Sequence, residues 1–135
     1  MDIAKSLMVS AAGLKAQSSR MRVIAENMAN ADSTALEPGG QPYRRKVVTF
    51  RNELDRDMGV NLVGINKVDT DRSEFGRRYE PGHPAADEQG YVLTTNVRGL
   101  IETMDMRQAQ RSYQANLNTM EATKRLATAT VELLR

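Results

Sequence analysis

The sequence predicts a mainly α protein with a small β insert: long N- and C-terminal helices forming an antiparallel hairpin or coiled coil, joined by an irregular β-rich middle segment. Three distributions predict it. All four prolines (Pro38, Pro42, Pro81 and Pro84) and seven of the nine glycines fall between residues 38 and 90. Five of the six aromatic rings, Tyr43, Phe50, Phe75, Tyr79 and Tyr91, are central as well. Seven of the eight methionines lie in the two flanking arms. Proline and glycine end helices while aromatic residues suit strands, so the composition changes twice along the chain. The expected organisation is an N-terminal helical arm over 1–36, a β-rich insert over 37–96 and a C-terminal helical arm over 97–135, the two arms forming one axial core.

The first arm carries Leu7, Leu14, Met21 and Met28 at a strict seven-residue step, with Ile3, Ala11, Ile24 and Ala25 nearby. That step keeps a seam facing a partner helix. Ser10 and Gln17 interrupt the companion line, which makes the coiled coil weak. The apolar run Leu7–Leu14 behind Lys5 imitates a short secretory signal. Asp2 spoils the basic leader, however, and the apolar spacing continues far past any cleavage point, so a helix of the mature protein is expected. No segment approaches the roughly 18–20 continuous apolar residues of a membrane span.

Glu26-Asn27-Met28-Ala29-Asn30-Ala31-Asp32-Ser33-Thr34 follows. Asparagine tolerates left-handed backbone and competes for backbone hydrogen bonds, which makes this a helix stop. A second reading is equally open: Asn27 and Asn30, buried between helices, could fix register between subunits as a polar seam residue does.

In the insert, 46–50, 60–65 and 91–94 have the composition of strands. Glu37-Pro38-Gly39-Gly40-Gln41-Pro42 reads as an exposed loop, and Pro81-Gly82-His83-Pro84 and Asp87-Glu88-Gln89-Gly90 as turns. Three short strands close no barrel, so the insert is expected to lean on the arms or on neighbours.

The last arm repeats the first: Met106, Ala109, Tyr113, Leu117, Met120, Ala127, Val131 and Leu134 form one apolar line, with Leu126 and Leu133 beside it. Two lines are more than a lone hairpin can bury. The surplus favours packing between molecules over an ordinary antiparallel helical domain with a decorated loop. Pairing the arms from Asn30 opposite Met106 places Met21 near the turn Tyr113–Leu117.

Chemistry is harder to find. With no cysteine among 135 residues, disulfides, thiolate metal sites and cysteine nucleophiles are excluded. His83 is the one histidine, and between Gly82 and Pro84 nothing close in sequence activates it. A turn histidine bonding to backbone is expected. Asp69, Asp71 and Glu74 lack the glycine and terminal glutamate of a calcium loop, and Asp87 and Glu88 fit turn caps. The densest basic run, Arg44-Arg45-Lys46, sits in a segment (residues 37–95) with nine basic and ten acidic side chains. It reads as a solvated strand rather than a nucleic-acid surface, which needs uncompensated charge. No catalytic, cofactor-binding or metal site is expected, nor a small-molecule substrate.

Several motifs carry a resemblance. Ala12-Gly13-Leu14-Lys15-Ala16-Gln17 and Glu26-Asn27-Met28-Ala29-Asn30-Ala31 are similar to the amino-terminal signature of the bacterial flagellar axial (rod and hook) family. The run from Tyr79 through Pro81-Gly82-His83-Pro84, Asp87 and Gly90 to Tyr91-Val92 closely resembles proximal-rod members of that family. So do Met106–Asn116 and the insertion Pro38-Gly39-Gly40 before Tyr43. One departure is Thr94-Thr95 before Asn96-Val97, where Met-Pro is expected. The resemblance covers essentially the whole chain.

It implies a structural subunit, not an enzyme, of the flagellar basal-body proximal rod. Such a subunit polymerises with copies of itself and other proximal and distal rod proteins, and with the MS-ring junction protein, into a drive shaft and export channel in the periplasmic space. It implies export by the flagellar type III apparatus without a cleaved signal peptide. The assembly interface would fall on Leu7, Leu14, Met21, Ile24, Asn27, Met28, Asn30, Met106, Tyr113, Leu117, Met120, Val131 and Leu134. Another rod or hook component is the nearest alternative; from a different class, a basic helical nucleic-acid-binding module.

Overall fold

The computed structural model describes residues 2–135. Helix α1 spans Ile3–Ala29, strand β1 Lys46–Asp55, β2 Val60–Thr70, β3 Gly76–Tyr79, β4 Tyr91–Thr94, and helix α2 Gly99–Leu133. Strands β1 and β2 form one two-stranded sheet, β3 and β4 another. The mainly α architecture with a small β middle is as expected, with strands longer than the composition suggested and one, β3, that it missed. Gly76-Arg77-Arg78-Tyr79 carries one aromatic and no β-branched residue; it is a strand because β4 supplies its ladder.

The helix ends are set by local hydrogen bonding. Asp2 Oδ1 accepts the Ala4 N–H at 3.0 Å, an N-cap worth about 1 kcal/mol. At the other end of α1 the Asn30 N–H is shared between Glu26 O and Asn27 O, and Ala31 bonds Met28, tightening the last turn. Asn30 Nδ2 also donates to Glu26 O at 2.8 Å. Asn30 is therefore the helix stop, but not through left-handed backbone: among the described residues only Gly39, Gly59 and Gly90 have positive φ. The first helix ends at Ala29, within the expected stop segment and short of the 1–36 arm, and α2 opens at Gly99, two residues inside the 97–135 arm.

The chain divides into two compact units. The first comprises Met1–Met21, Val48–Lys67 and Arg107–Arg135. Within it Ser6 Oγ lies 3.3 Å from Thr123 Oγ1, and Arg20 Nη2 donates to Gln108 Oε1 at 3.1 Å. Between them Gly13 faces Asn116, whose amide would stand 2.7–2.8 Å from any Cβ added there. As α1 advances, its partner moves back along α2. This corrects the expected register: Met21 follows Arg20 and so stands near Gln108, about two turns from Tyr113–Leu117. Counting from the asparagine stop failed because α2 begins its pairing before Met106, its first turn included.

The second unit comprises Arg22–Val47 and Val68–Met106. Its β3–β4 pair is antiparallel, with Gly76 opposite Thr94 and Tyr79 opposite Tyr91. The other edge of β4 is taken by the segment after α1: Thr34 bridges Thr94, Ala35 N–H donates to Leu93 O, and Thr95 N–H to Ser33 O. Ala35, Ala85 and Val92, with Ala86 against them, form the apolar centre. Burying Val92 completely contributes about 1.5–3 kcal/mol, and the alanines much less. Across the described residues four of the eight buried hydrophobic side chains are alanine, so the subunit's own core is thin.

Candidate functional site

Three residues of α1 that meet α2 within the first unit, Ser6, Gly13 and Arg20, recur every seven positions, one residue ahead of the expected Leu7-Leu14-Met21 seam. Seven further on stands Asn27, which belongs to the second unit and meets Glu102 there. The heptad step is present, but on small and polar residues. Glycine and serine let two helix backbones come close, and a leucine at the same place would hold them apart. Leu7, Leu14 and Met21 lie beside this line, half-buried. So do Tyr113, Leu117 and Met120 on α2, while Val131 and Leu134 are 63% and 84% exposed. Of the other residues expected at an interface, Ile24 is buried, Asn30 and Met106 half-buried, and Met28 exposed.

The Asn27 side chain makes four hydrogen bonds. Its Nδ2 donates to Lys46 O at 2.8 Å and to Glu102 Oε2 at 3.1 Å. Its Oδ1 accepts from Tyr43 O–H at 2.8 Å and from Lys46 N–H at 2.9 Å. An amide side chain has two donors and room for two acceptor bonds, so every position is filled by this chain. Of the two readings of the asparagine pair, the helix stop holds for Asn30; Asn27, with all four positions filled inside the chain, fastens α1, the root of β1 and α2 within one subunit instead of fixing register between subunits.

Glu102 is fully buried, and its second oxygen accepts from Arg45 Nε in a close ion pair. Arg45 also reaches Asp105 at 3.3 Å and Asp71 at 3.5 Å. Burial works against the guanidinium charge; the Glu102 hydrogen bond and the three carboxylates outweigh it and raise the Arg45 pKa. Burial, followed by the nearby Glu26 charge, pushes the Tyr43 phenol up. Lys46 pairs with Glu26, which raises its ammonium. Arg44 lies 4.1 Å over the Phe75 ring and donates to the Asp71 and Ser73 carbonyls. The basic run is thus not a solvated strand. It looked solvated because its counter-charges lie 20 to 60 positions away in sequence.

Asn96 completes this cluster. Its Oδ1 accepts the Arg45 N–H at 2.7 Å and its Nδ2 donates to Asp71 O at 3.0 Å. Asp71 Oδ1 accepts the Ser73 N–H, the main reason its carboxyl lies below the usual range. Sequence reasoning missed Tyr43, Arg45, Asn96 and Glu102. One signal was available: Glu102, Ala109, Asn116 and Thr123 are themselves seven apart, a polar line inside a helix read for its apolar ones.

The motif Pro81-Gly82-His83-Pro84 forms the link between β3 and β4. His83 Nδ1 accepts the Ala85 N–H at 3.0 Å, as expected of a turn histidine; Nε2 then carries the proton and faces Thr34 Oγ1 at 3.4 Å. Asp87 Oδ1 accepts the Gln89 and Tyr91 N–H groups and Asp87 pairs with Arg77, and these bonds, Tyr91's first, lower its pKa. Tyr79 and Tyr91 meet edge to face at 5.3 Å. Gly90, at φ 84°, packs where a Cβ would come within 2.9 Å of the Tyr79 ring and 3.1 Å of Pro81. The His83 and Asp87 side chains tie this link to itself and to β3 and β4. Among the described residues no cluster of three metal-ligating side chains occurs and no helix is long and apolar enough to cross a membrane.

An arrangement of this kind holds shape, and the comparisons with known proteins agree. Residues 88–133 match the family described as flagellar basal body rod FlgEFG protein C-terminal. The flagellar basal-body rod protein FlgC of Agrobacterium fabrum is 49% identical over 127 residues, 94% of this chain and 91% of that protein. FlgC of Bacillus subtilis is 36% identical over 95% of each chain. FlgC of Escherichia coli O6:H1 is 39% identical over 93% of this chain and 92% of its own.

The chain belongs to the FlgC family of flagellar basal-body rod proteins. It is a structural component of the flagellar basal body and not an enzyme, and as a rod protein it associates with other flagellar components. Likeness to FlgC over nearly the whole chain replaces the alternatives of another rod or hook component and of a nucleic-acid-binding module.

Proposed function

We propose that this FlgC subunit polymerises with copies of itself and other rod proteins into the proximal rod, and that the apolar lines flanking its polar helix seam are the assembly face. One observation carries this reading. Ser6, Gly13 and Arg20 meet α2, while Leu7, Leu14, Met21, Tyr113, Leu117 and Met120 stay half-buried and Val131 and Leu134 exposed. A thin, alanine-rich core fits a subunit that completes its burial on its neighbours. Arms 1–36 and 97–135 would wind as an antiparallel coiled-coil hairpin, with Ile24, Asn27, Asn30 and Met106 among its residues and Met28 facing a neighbour. The insert 37–96 supplies lateral contacts.

On this reading the rod runs through the periplasmic space from the MS-ring junction protein to the distal rod. Subunits reach it through the type III export apparatus without a cleaved signal. Torque passes through many packing contacts in parallel, each about 0.1–0.2 kcal/mol per atom pair, so no single residue carries it.

Leu117→Asp and Val131→Asp are expected to abolish swimming with normal subunit expression, because an unpaired carboxylate in an apolar interface costs several kcal/mol. Normal swimming by both strains would show that these lines are not an assembly face.

A further inference from the structure

The charges of this chain are sorted. The segments Met1–Met21 and Arg107–Arg135 carry eight basic and three acidic side chains. The unit made of Arg22–Val47 and Val68–Met106 carries eleven acidic and eight basic ones. A near-neutral total of +2 conceals this separation.

At the basic extreme, α2 runs on past the Ser6–Thr123 contact, although α1 begins only three residues before Ser6. About two turns of α2 therefore extend beyond the start of α1. They follow Lys124 and Arg125, carry one acidic residue, Glu132, and Leu133, and lead to Leu134; the two leucines are 88% and 84% exposed. At the acidic extreme, Leu36 is 92% exposed between Asp32 and Glu37. Beside it a cleft of about 170 Å³ opens between Ala35, Gly40, Tyr91 and Leu93, where the Arg77 charge in its wall is paired with Asp87. A cavity of that order admits a benzene-sized group, hence a leucine side chain. None of Lys124, Arg125, Asp32 and Glu37 forms an ion pair among the described residues.

We infer that a second copy of this chain is the partner: the basic end of α2 on one copy docks on the acidic Asp32–Glu37 loop of the next, with Leu133 or Leu134 entering the cleft. The inference rests on the reading of the chain as a subunit that meets copies of itself. The contact joins two different surfaces, so it is heterologous and propagates, as a helical array requires. Complementary charge at its rim steers the encounter and makes it sensitive to salt.

The full-length chain tests this directly by sedimentation. Association at about 0.05 M salt should weaken roughly tenfold or more at about 0.5 M. K124E/R125E and D32K/E37K, all at exposed positions, should each weaken it to a similar degree while circular dichroism stays unchanged. Mixing the two variants should restore association, because each then offers the other a matched pair of surfaces. A chain that stays monomeric at low salt, an association that neither salt nor charge reversal changes, or a mixture that fails to recover overturns the inference. Any of these results beside a non-swimming Leu117→Asp strain overturns the docking alone and leaves the rod reading in place.

Discussion

Asn27 and Glu102 meet in the interior of the second unit, 75 positions apart in sequence, with Asn27 Nδ2 donating to Glu102 Oε2 at 3.1 Å. Both are less than 2% exposed. Two polar side chains at such depth persist only if every remaining donor and acceptor is used. Tyr43, Lys46 and Arg45 use them. The meeting point fixes α2 against α1 more narrowly than apolar packing could, since apolar contacts tolerate sliding and a satisfied hydrogen-bond network does not.

Removing one member should therefore cost more than its surroundings suggest. Asn27→Ala leaves up to four partner groups short of a bond, and a loss of about 2–4 kcal/mol is expected in denaturant titration. Glu102→Ala strands the Arg45 guanidinium with Asp71 and Asp105 alone. A buried pair broken on one side costs about 3–5 kcal/mol, and partial solvent access to Arg45 points to the lower end. If either variant unfolds within 0.5 kcal/mol of the parent, the cluster does not hold the fold.

The helix register is open to crosslinking. Ser6→Cys with Thr123→Cys replaces two hydroxyl oxygens 3.3 Å apart and should oxidise readily within one chain, since a disulfide needs Cα atoms within about 7 Å. Met21→Cys with Leu117→Cys, about two turns out of register, should not. The two double variants compared by mobility under non-reducing conditions decide the matter, and the opposite pattern would restore the alignment that sequence counting suggests.

Two glycines in one motif are expected to behave differently. Gly90→Ala places a Cβ at positive φ and 2.9 Å from the Tyr79 ring, so a loss of about 1–3 kcal/mol is expected. At Gly82 an added Cβ meets nothing within 4 Å and φ is unexceptional, so Gly82→Ala should stay within about 0.5 kcal/mol. Melting temperatures of the pair give the comparison.

Acid should loosen the second unit in a defined window. Asp71 and Asp87 are held below their ordinary 3.8 by the N–H groups of Ser73 and Tyr91. A depressed folded-state pKa means that the unfolded chain binds the proton first. The stabilisation is complete above about pH 4–5 and is lost as pH falls through the folded values. Thermal unfolding followed from pH 6 to 2.5 should show this fall, with a shallower slope in Asp87→Asn. An unchanged slope would mean that the Asp87 turn contributes nothing to it.

The sequence alone determined the two helical arms, the β-rich middle, the helix stop near Asn30, the turn role of His83 and the capping role of Asp87. These depend on neighbours a few positions away, where proline, glycine, asparagine and aspartate act through their own backbone geometry. Motif likeness likewise points to the axial family. Only the tertiary structure decided which heptad line forms the seam. Ser6-Gly13-Arg20 and Leu7-Leu14-Met21 have the same period, and periodicity reports spacing, not which line a partner helix touches. Nor does local sequence distinguish a charge in water from a charge in a cluster. Arg45 is bound by Asp71, Glu102 and Asp105, which reach it only once the chain has folded, and the energy of that meeting depends on the low dielectric around it.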